Sequence, residues 1–256
     1  MKNELEETLK TVPELYHDAL QPSAQETGKI LARIPRAINA AFSGLDKWIL
    51  NREYSVDETK KLLAEKLNNV NPDKIVEPEP YVAIPAIQAI SYAMNSDELR
   101  NLYANLLAKS MISDTKDTVH PSFVEIIKQM SPIDARVFQL IIEASVRPLI
   151  DLRKRTSDGN FFVFQSHCSW IKNFSIKQSA TAIDNLLRLG LIEIPYGISY
   201  TNSQAYSAVR QNPEFISFEQ RSRAFLTSDE TFEYKNRYIE LSELSKLFYN
   251  ICVLNP

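Results

Sequence analysis

Apolar residues recur at spacings of three and four along most of this chain, the signature of helices that turn one face toward a core. Across residues 24–50, Ile30, Ile34, Ile38, Phe42, Leu45 and Ile49 share one face, and Pro35 is expected to kink the helix. Ser55 followed by Glu58 has the form of a capping box and starts a helix over residues 56–67. Pro72, Pro78 and Pro80 then make residues 71–81 an extended connector, because proline biases the residue before it away from helix. A helix over residues 82–94 admits Pro85 in its first turn. Ser96 caps the next helix, which carries Leu99, Tyr103, Leu106 and Leu107 inward and ends near Met111. The chain restarts at His120, with Pro121 at a first helical position and Ser122 with Glu125 as an alternative capping box, and a short helix leads to Met130.

The second half changes character. Ser131 as cap, Pro132 with its φ preset and Asp134 near the helix start together open a helix carrying Val137, Phe138, Ile141 and Ile142. A basic loop, Arg153-Lys154-Arg155, and a turn, Ser157-Asp158-Gly159, precede FFVFQSHCSWI, whose aromatic content suits a strand or a packed irregular segment. Ser175 and Gln178 box a further helix, which continues through Ala180, Ile183 and Leu187 to a left-handed Gly190. Residues 191–194 and 238–241 read as paired strands, followed by a helix over SELSKLFYNICVL. Helix, turn, helix, strand, long loop, strand, helix is the order of a winged helix. Its wing, residues 197–237, is long, contains Asn212-Pro213-Glu214 and an amphipathic stretch over 215–226, and loops of that length are usually functional or disordered. The expected fold is therefore mainly α: a helical domain over 1–130, then a winged helix domain over 131–256 with a small β-hairpin and a long wing insertion.

Composition narrows the class without changing this picture. The chain has 256 residues, 44% hydrophobic and 24% charged, near the globular average. No apolar run approaches the roughly 18 residues that cross a bilayer, and MKNELEETLK lacks a secretory signal, so a cytoplasmic protein is expected. Two cysteines, Cys168 and Cys252, fit a reducing compartment and read as buried apolar fillers. A net charge of -3 argues against broad nucleic-acid coating and leaves room only for a local basic patch.

Catalytic chemistry is sparse. Five glycines cannot assemble a phosphate-cradling loop. Glu14 and His17 match half of a paired Glu-x-x-His metal site, and Asp117 before His120 is a poor second half, so neither a metal nor another cofactor is expected. His167 and Cys168 invite a nucleophile reading, but adjacent residues diverge in a strand and burial explains both. His120 is read as a helix cap at the junction of the two halves, with Pro121, Ser131 and Pro132. The helix from Ile176 stands where a recognition helix would, and its Lys177, Gln178, Thr181, Asn185 and Arg188 are the candidates for contacting a partner or DNA. Asp184 among them would repel phosphate. Lys29, Arg33, Arg36, Lys47 and Trp48 flank the apolar stripe of residues 24–50, a pattern that suits either core packing or a membrane interface.

One stretch carries more than periodicity. Leu99-Arg100, Leu106-Leu107-Ala108, Met111, the run His120-Pro121-Ser122-Phe123-Val124-Glu125-Ile126-Ile127-Lys128-Gln129 and then Ser131-Pro132-Ile133-Asp134-Ala135 resemble the abortive infection alpha (Abi-alpha) family of bacterial antiphage proteins. The resemblance runs more loosely from about Gly28 to the C-terminus and implies phage defence. With no catalytic constellation at hand, the expected mode is binding without turnover, with a protein as partner. DNA, a membrane surface and a second copy of the chain are the other partners the residues allow, and a winged-helix regulator or an interfacial membrane effector are the alternative functions.

Overall fold

The computed structural model describes residues 33–42 and 53–256. Helix α1 (Arg33–Phe42) buries Ile34, Ala37, Ile38, Ala41 and Phe42, so the expected apolar face packs inward over this part. The rest of that expected helix, with Ile30, Leu45 and Ile49, lies outside the described residues. Helix α2 (Glu53–Leu67) is already helical two residues before Ser55, which therefore cannot be its cap. In the connector, Pro72–Lys74 form a 3-10 turn capped by Asn71, and Ile75 bridges to Ile112 before the chain extends to Glu79. Helix α3 (Pro80–Ile90) places Pro80, not Pro85, at the favoured first position. Pro85 sits inside the helix, where it withholds one backbone N–H.

Helix α4 (Asp97–Ser110) starts on the expected Ser96 cap, whose Oγ accepts the Leu99 N–H at 3.3 Å. Leu102 through Ala108 are all buried, the mark of a helix enclosed on every side. Helix α5 (Ser122–Lys128) begins one residue after Pro121, and the Ser122–Glu125 capping box does not form. Instead the His120 ring caps it: Nδ1 accepts the Ser122 N–H at 3.1 Å and lies 2.6 Å from the Ser122 hydroxyl. Helix α6 (Pro132–Glu143) opens with the expected start. Ser131 Oγ accepts the Asp134 N–H at 3.2 Å, and Asp134 returns the bond by accepting the Ser131 N–H at 2.7 Å.

Strand β1 (Pro148–Arg155) and strand β2 (Phe161–Cys168) follow as an antiparallel hairpin. The Arg153-Lys154-Arg155 run is thus the end of a strand, not a loop, and FFVFQSHC is a strand. Helix α7 (Ile176–Arg188) carries the Ser175–Gln178 capping box and ends at Gly190, whose φ of 72° only glycine adopts without strain. Its inner face uses Leu186, while Leu187 is exposed. Strand β3 (Ile192–Glu193) comes next.

The long insertion is structured. It holds a 3-10 turn (Ser203–Tyr206), helix α8 (Ser207–Arg210), helix α9 (Pro213–Arg223) and strand β4 (Thr231–Tyr238). β4 pairs along the whole of β1, from Pro148 opposite Tyr238 to Arg155 opposite Thr231, giving a three-stranded sheet in the order β2-β1-β4. Strand β5 (Glu240–Leu241) pairs with β3, Ile192 opposite Leu241, as the sequence pattern anticipates. Helix α10 (Glu243–Phe248), capped by Ser242, runs into a π-helical turn, Tyr249–Val253.

One cluster of buried side chains runs from Ile34 in α1 through α4, α5 and α6 to Ile192, Phe248 and Cys252. A second, smaller one lies under the three-stranded sheet, where Ile150, Leu152, Cys168, Ile176, Tyr206, Val209 and Phe215 meet.

Candidate interaction surface

The five α7 candidates divide. Asn185, half-buried, and Arg188, still exposed, bond across the junction with α5 and α6. The Asn185 side-chain amide donates to the Gln129 carbonyl and to Asp134 Oδ2, both at 2.9 Å, and its Oδ1 accepts from Arg188. Arg188 also reaches Gln129 Oε1 at 2.8 Å. Asp134 therefore accepts from both Ser131 and Asn185 while buried, so the cap of α6 is also the fastener of α7. Gln178 is spent on its own capping box, and Thr181 Oγ donates to the Lys177 carbonyl at 3.0 Å. Lys177 remains an exposed cation at the start of the helix. A further fastener is invisible in local sequence: Glu214 of α9 accepts the Ile176 N–H at 2.6 Å, tying the insertion to the first turn of α7.

The His167–Cys168 pair comes apart chemically. His167 takes a left-handed backbone, φ 54°, which directs its Nδ1 to Asp184 while its N–H donates to Asp151 Oδ1 at 2.9 Å. Cys168 is fully buried in the smaller core. Burial, reinforced by Asp151 and Glu214, pushes its thiol from 9.0 up to about 12. Cys252 is buried too, and burial likewise raises its thiol. In the unfolded chain thiols ionise near 9, whereas in the fold they stay protonated, so the unfolded state binds fewer protons above that pH. Stability is expected to be intact below pH 9 and to fall as pH rises from about 9 toward 12, and neither thiol should react with a disulfide reagent at pH 8 until the protein unfolds. Rapid labelling of the native protein at pH 8 would contradict this.

Among the described residues no group of three or more His, Cys, Asp or Glu is placed to hold a metal, and Glu14 and His17 lie outside them. No helix among the described residues is long and apolar enough to cross a membrane.

The three cations of the basic run of β1 share two carboxylates, and Arg155 stays half exposed. Arg153 Nη2 reaches Glu233 Oε2 at 2.8 Å, Arg155 Nε reaches Glu233 Oε1 at 2.7 Å, and Lys154 pairs with Glu230. The guanidinium groups of Arg153 and Arg155 also lie over the Phe161 ring, 3.9 and 4.7 Å from its centre. Beside these charges, this end of the sheet leaves large apolar side chains to solvent: Phe161 is 45%, Phe162 66% and Val163 51% exposed. Three consecutive large apolar side chains held open on a strand make this edge a candidate interaction surface. Sequence reasoning missed it because strand and irregular segment could not be told apart there, and only a strand with the order β2-β1-β4 puts these residues on an edge.

The abortive infection alpha family model matches residues 51–252. The chain belongs to that family. No curated protein and no solved structure matches it. The range shared with other abortive infection alpha proteins takes in helices α2 to α10, the Asp134–Asn185 fastener and the whole three-stranded sheet. The family points to an antiphage role of the abortive infection kind.

Proposed function

We propose that this abortive infection alpha protein protects against phage by binding, without turning over a substrate, and that Phe161, Phe162 and Val163 of β2 form the contact. The observation that carries this reading is the exposed apolar run itself, kept open by a sheet whose cations are already paired with Glu230 and Glu233. The nucleophile candidate works against an enzymatic alternative: Cys168 is buried with its thiol raised, and the neighbouring His167 ring is committed to Asp184. Binding through a hydrophobic strand fits a protein partner better than a phosphate backbone, which would require free cations.

We also read α6, α7, the β3–β5 pair and α10 as a winged-helix-like core into which the three-stranded sheet is inserted. Under this reading α7 would be the recognition helix of a DNA-binding regulator. Its Asn185 and Arg188 are, however, hydrogen-bonded across the junction to Gln129 and Asp134, which leaves Lys177 as the exposed cation outside that network. The interfacial membrane alternative meets a similar obstacle, since the apolar face of α1 is buried.

Phage plating on cells carrying Cys168→Ala tests the non-enzymatic part. Protection should be undiminished as long as the variant protein is folded. Complete loss of protection by a folded Cys168→Ala protein would reopen a thiol mechanism.

A further inference from the structure

Helices α3, α4 and α5 leave between them a cleft of about 570 Å³, within the range of small-molecule sites. α3 and the turn after it contribute Pro85, Ala89 and Tyr92, and α4 contributes Leu99 and Tyr103. α5 adds Glu125, Ile127 and Lys128, with Met130 just beyond it. These last residues lie in and beside the His120–Gln129 run, in which the β2 surface has no part. Apolar side chains predominate in the lining, and Tyr103 stands out among them. It is 2% exposed, and none of the described residues hydrogen-bonds its hydroxyl, although a buried tyrosine hydroxyl ordinarily finds a partner. The oxygen is not sealed in: Tyr103 lines the cleft and its Oη opens to it. Burial, with the Glu125 carboxylate nearby, holds the phenol above the usual tyrosine range, so it keeps its proton and is ready to donate it in a hydrogen bond.

We propose that this cleft binds a small uncharged aromatic molecule whose carbonyl oxygen accepts a hydrogen bond from the Tyr103 hydroxyl. The site is separate from the β2 edge, and either reading stands without the other. The charges argue for a neutral ligand. Glu125 and Lys128 are the charged groups among the described residues that line the cleft, and they pair with each other at 3.1 Å, one turn apart on α5. An anion at Tyr103 would be repelled by the Glu125 carboxylate, and a cation there would face a hydroxyl that has its proton to give. The Tyr92 ring and the Met130 thioether favour a ring over an alkyl chain, because ring-to-ring and sulfur-to-ring contacts add to what area burial alone supplies. A bare hydrocarbon would fill the same space and leave the hydroxyl unpaired, which is why the ligand carries an acceptor.

Acetophenone, a single ring with a single carbonyl, is the probe, and its binding to the full chain is read by calorimetric titration or by ligand-observed NMR. A dissociation constant on the order of 0.1 to 1 mM is expected for so small a ligand. Tyr103→Phe removes the oxygen and nothing else. It should weaken acetophenone about fivefold and leave the melting temperature unchanged or higher, because the hydroxyl bonds nothing in the fold. Ethylbenzene, the same frame without the oxygen, should bind the parent chain and Tyr103→Phe alike, and benzoate and benzylammonium should both bind the parent chain more weakly than acetophenone. Absence of saturable acetophenone binding up to about 10 mM overturns the proposal. So does an affinity indifferent to Tyr103→Phe, or a preference for either charged compound. A clear fall in melting temperature for Tyr103→Phe would show that the hydroxyl serves the fold, and that too overturns it.

Discussion

Phe248→Ala is expected to destabilise the protein by about 3–5 kcal/mol, the range for truncating a fully buried aromatic. Phe248 has no exposed surface and stands edge-on to two other rings, Phe123 of α5 at 5.5 Å and Phe138 of α6 at 5.5 Å. One side chain thereby joins α10 to the consecutive helices α5 and α6, more than a hundred positions earlier, and its removal leaves a void that none of them can close alone. The melting temperature should drop by on the order of 10 °C. Phe225→Ala, at a ring three-quarters exposed, should have almost no effect in the same calorimetric or urea measurement. Equal effects from the two would mean that the ring cluster does not bind the helices together.

Asp134→Ala should follow at about 2–4 kcal/mol. The carboxylate is buried and accepts the Ser131 N–H and the Asn185 amide, so its loss strips a helix cap and leaves two donors at the junction without their acceptor. Ser131→Ala removes only the other half of the capping box and should cost about 1 kcal/mol. Asn185→Asp sets a second carboxylate against the first. It should destabilise at neutral pH. Urea titrations of the three variants at pH 7 give the comparison, and a negligible cost for Asp134→Ala would show that the junction is held by other contacts.

What the sequence disclosed follows the reach of each interaction. Ser96, Ser131 with Asp134, Ser175 with Gln178, and Gly190 were legible because a cap is made between residues three or four apart. Capping patterns misled where they were optional: Ser55 lies within α2, and Ser122 gave way to the His120 ring. The three-stranded sheet was hidden because β1 and β4 meet across about eighty residues, and because Arg153-Lys154-Arg155 looks like a solvated loop until Glu230 and Glu233 stand opposite. Asn185 and Arg188 read as contact residues in the sequence for the same reason. On a helical wheel they face outward, and only the arrival of Gln129 and Asp134, more than fifty positions away, turns that side into a joint between helices. The amide of Asn105, which donates to the Cys252 and Val253 carbonyls at 2.9 and 3.0 Å, is a longer-range case still.

The proposal that protection runs through the apolar edge of β2 is open to a direct test. Phage plating efficiency on cells expressing the chain with Phe161→Ser, Phe162→Ser and Val163→Ser together is its most direct measurement, read beside the melting temperature of the same purified protein. The fold is expected to survive, because all three side chains are substantially exposed, and protection to be lost. Full protection by this folded triple variant would contradict the proposal.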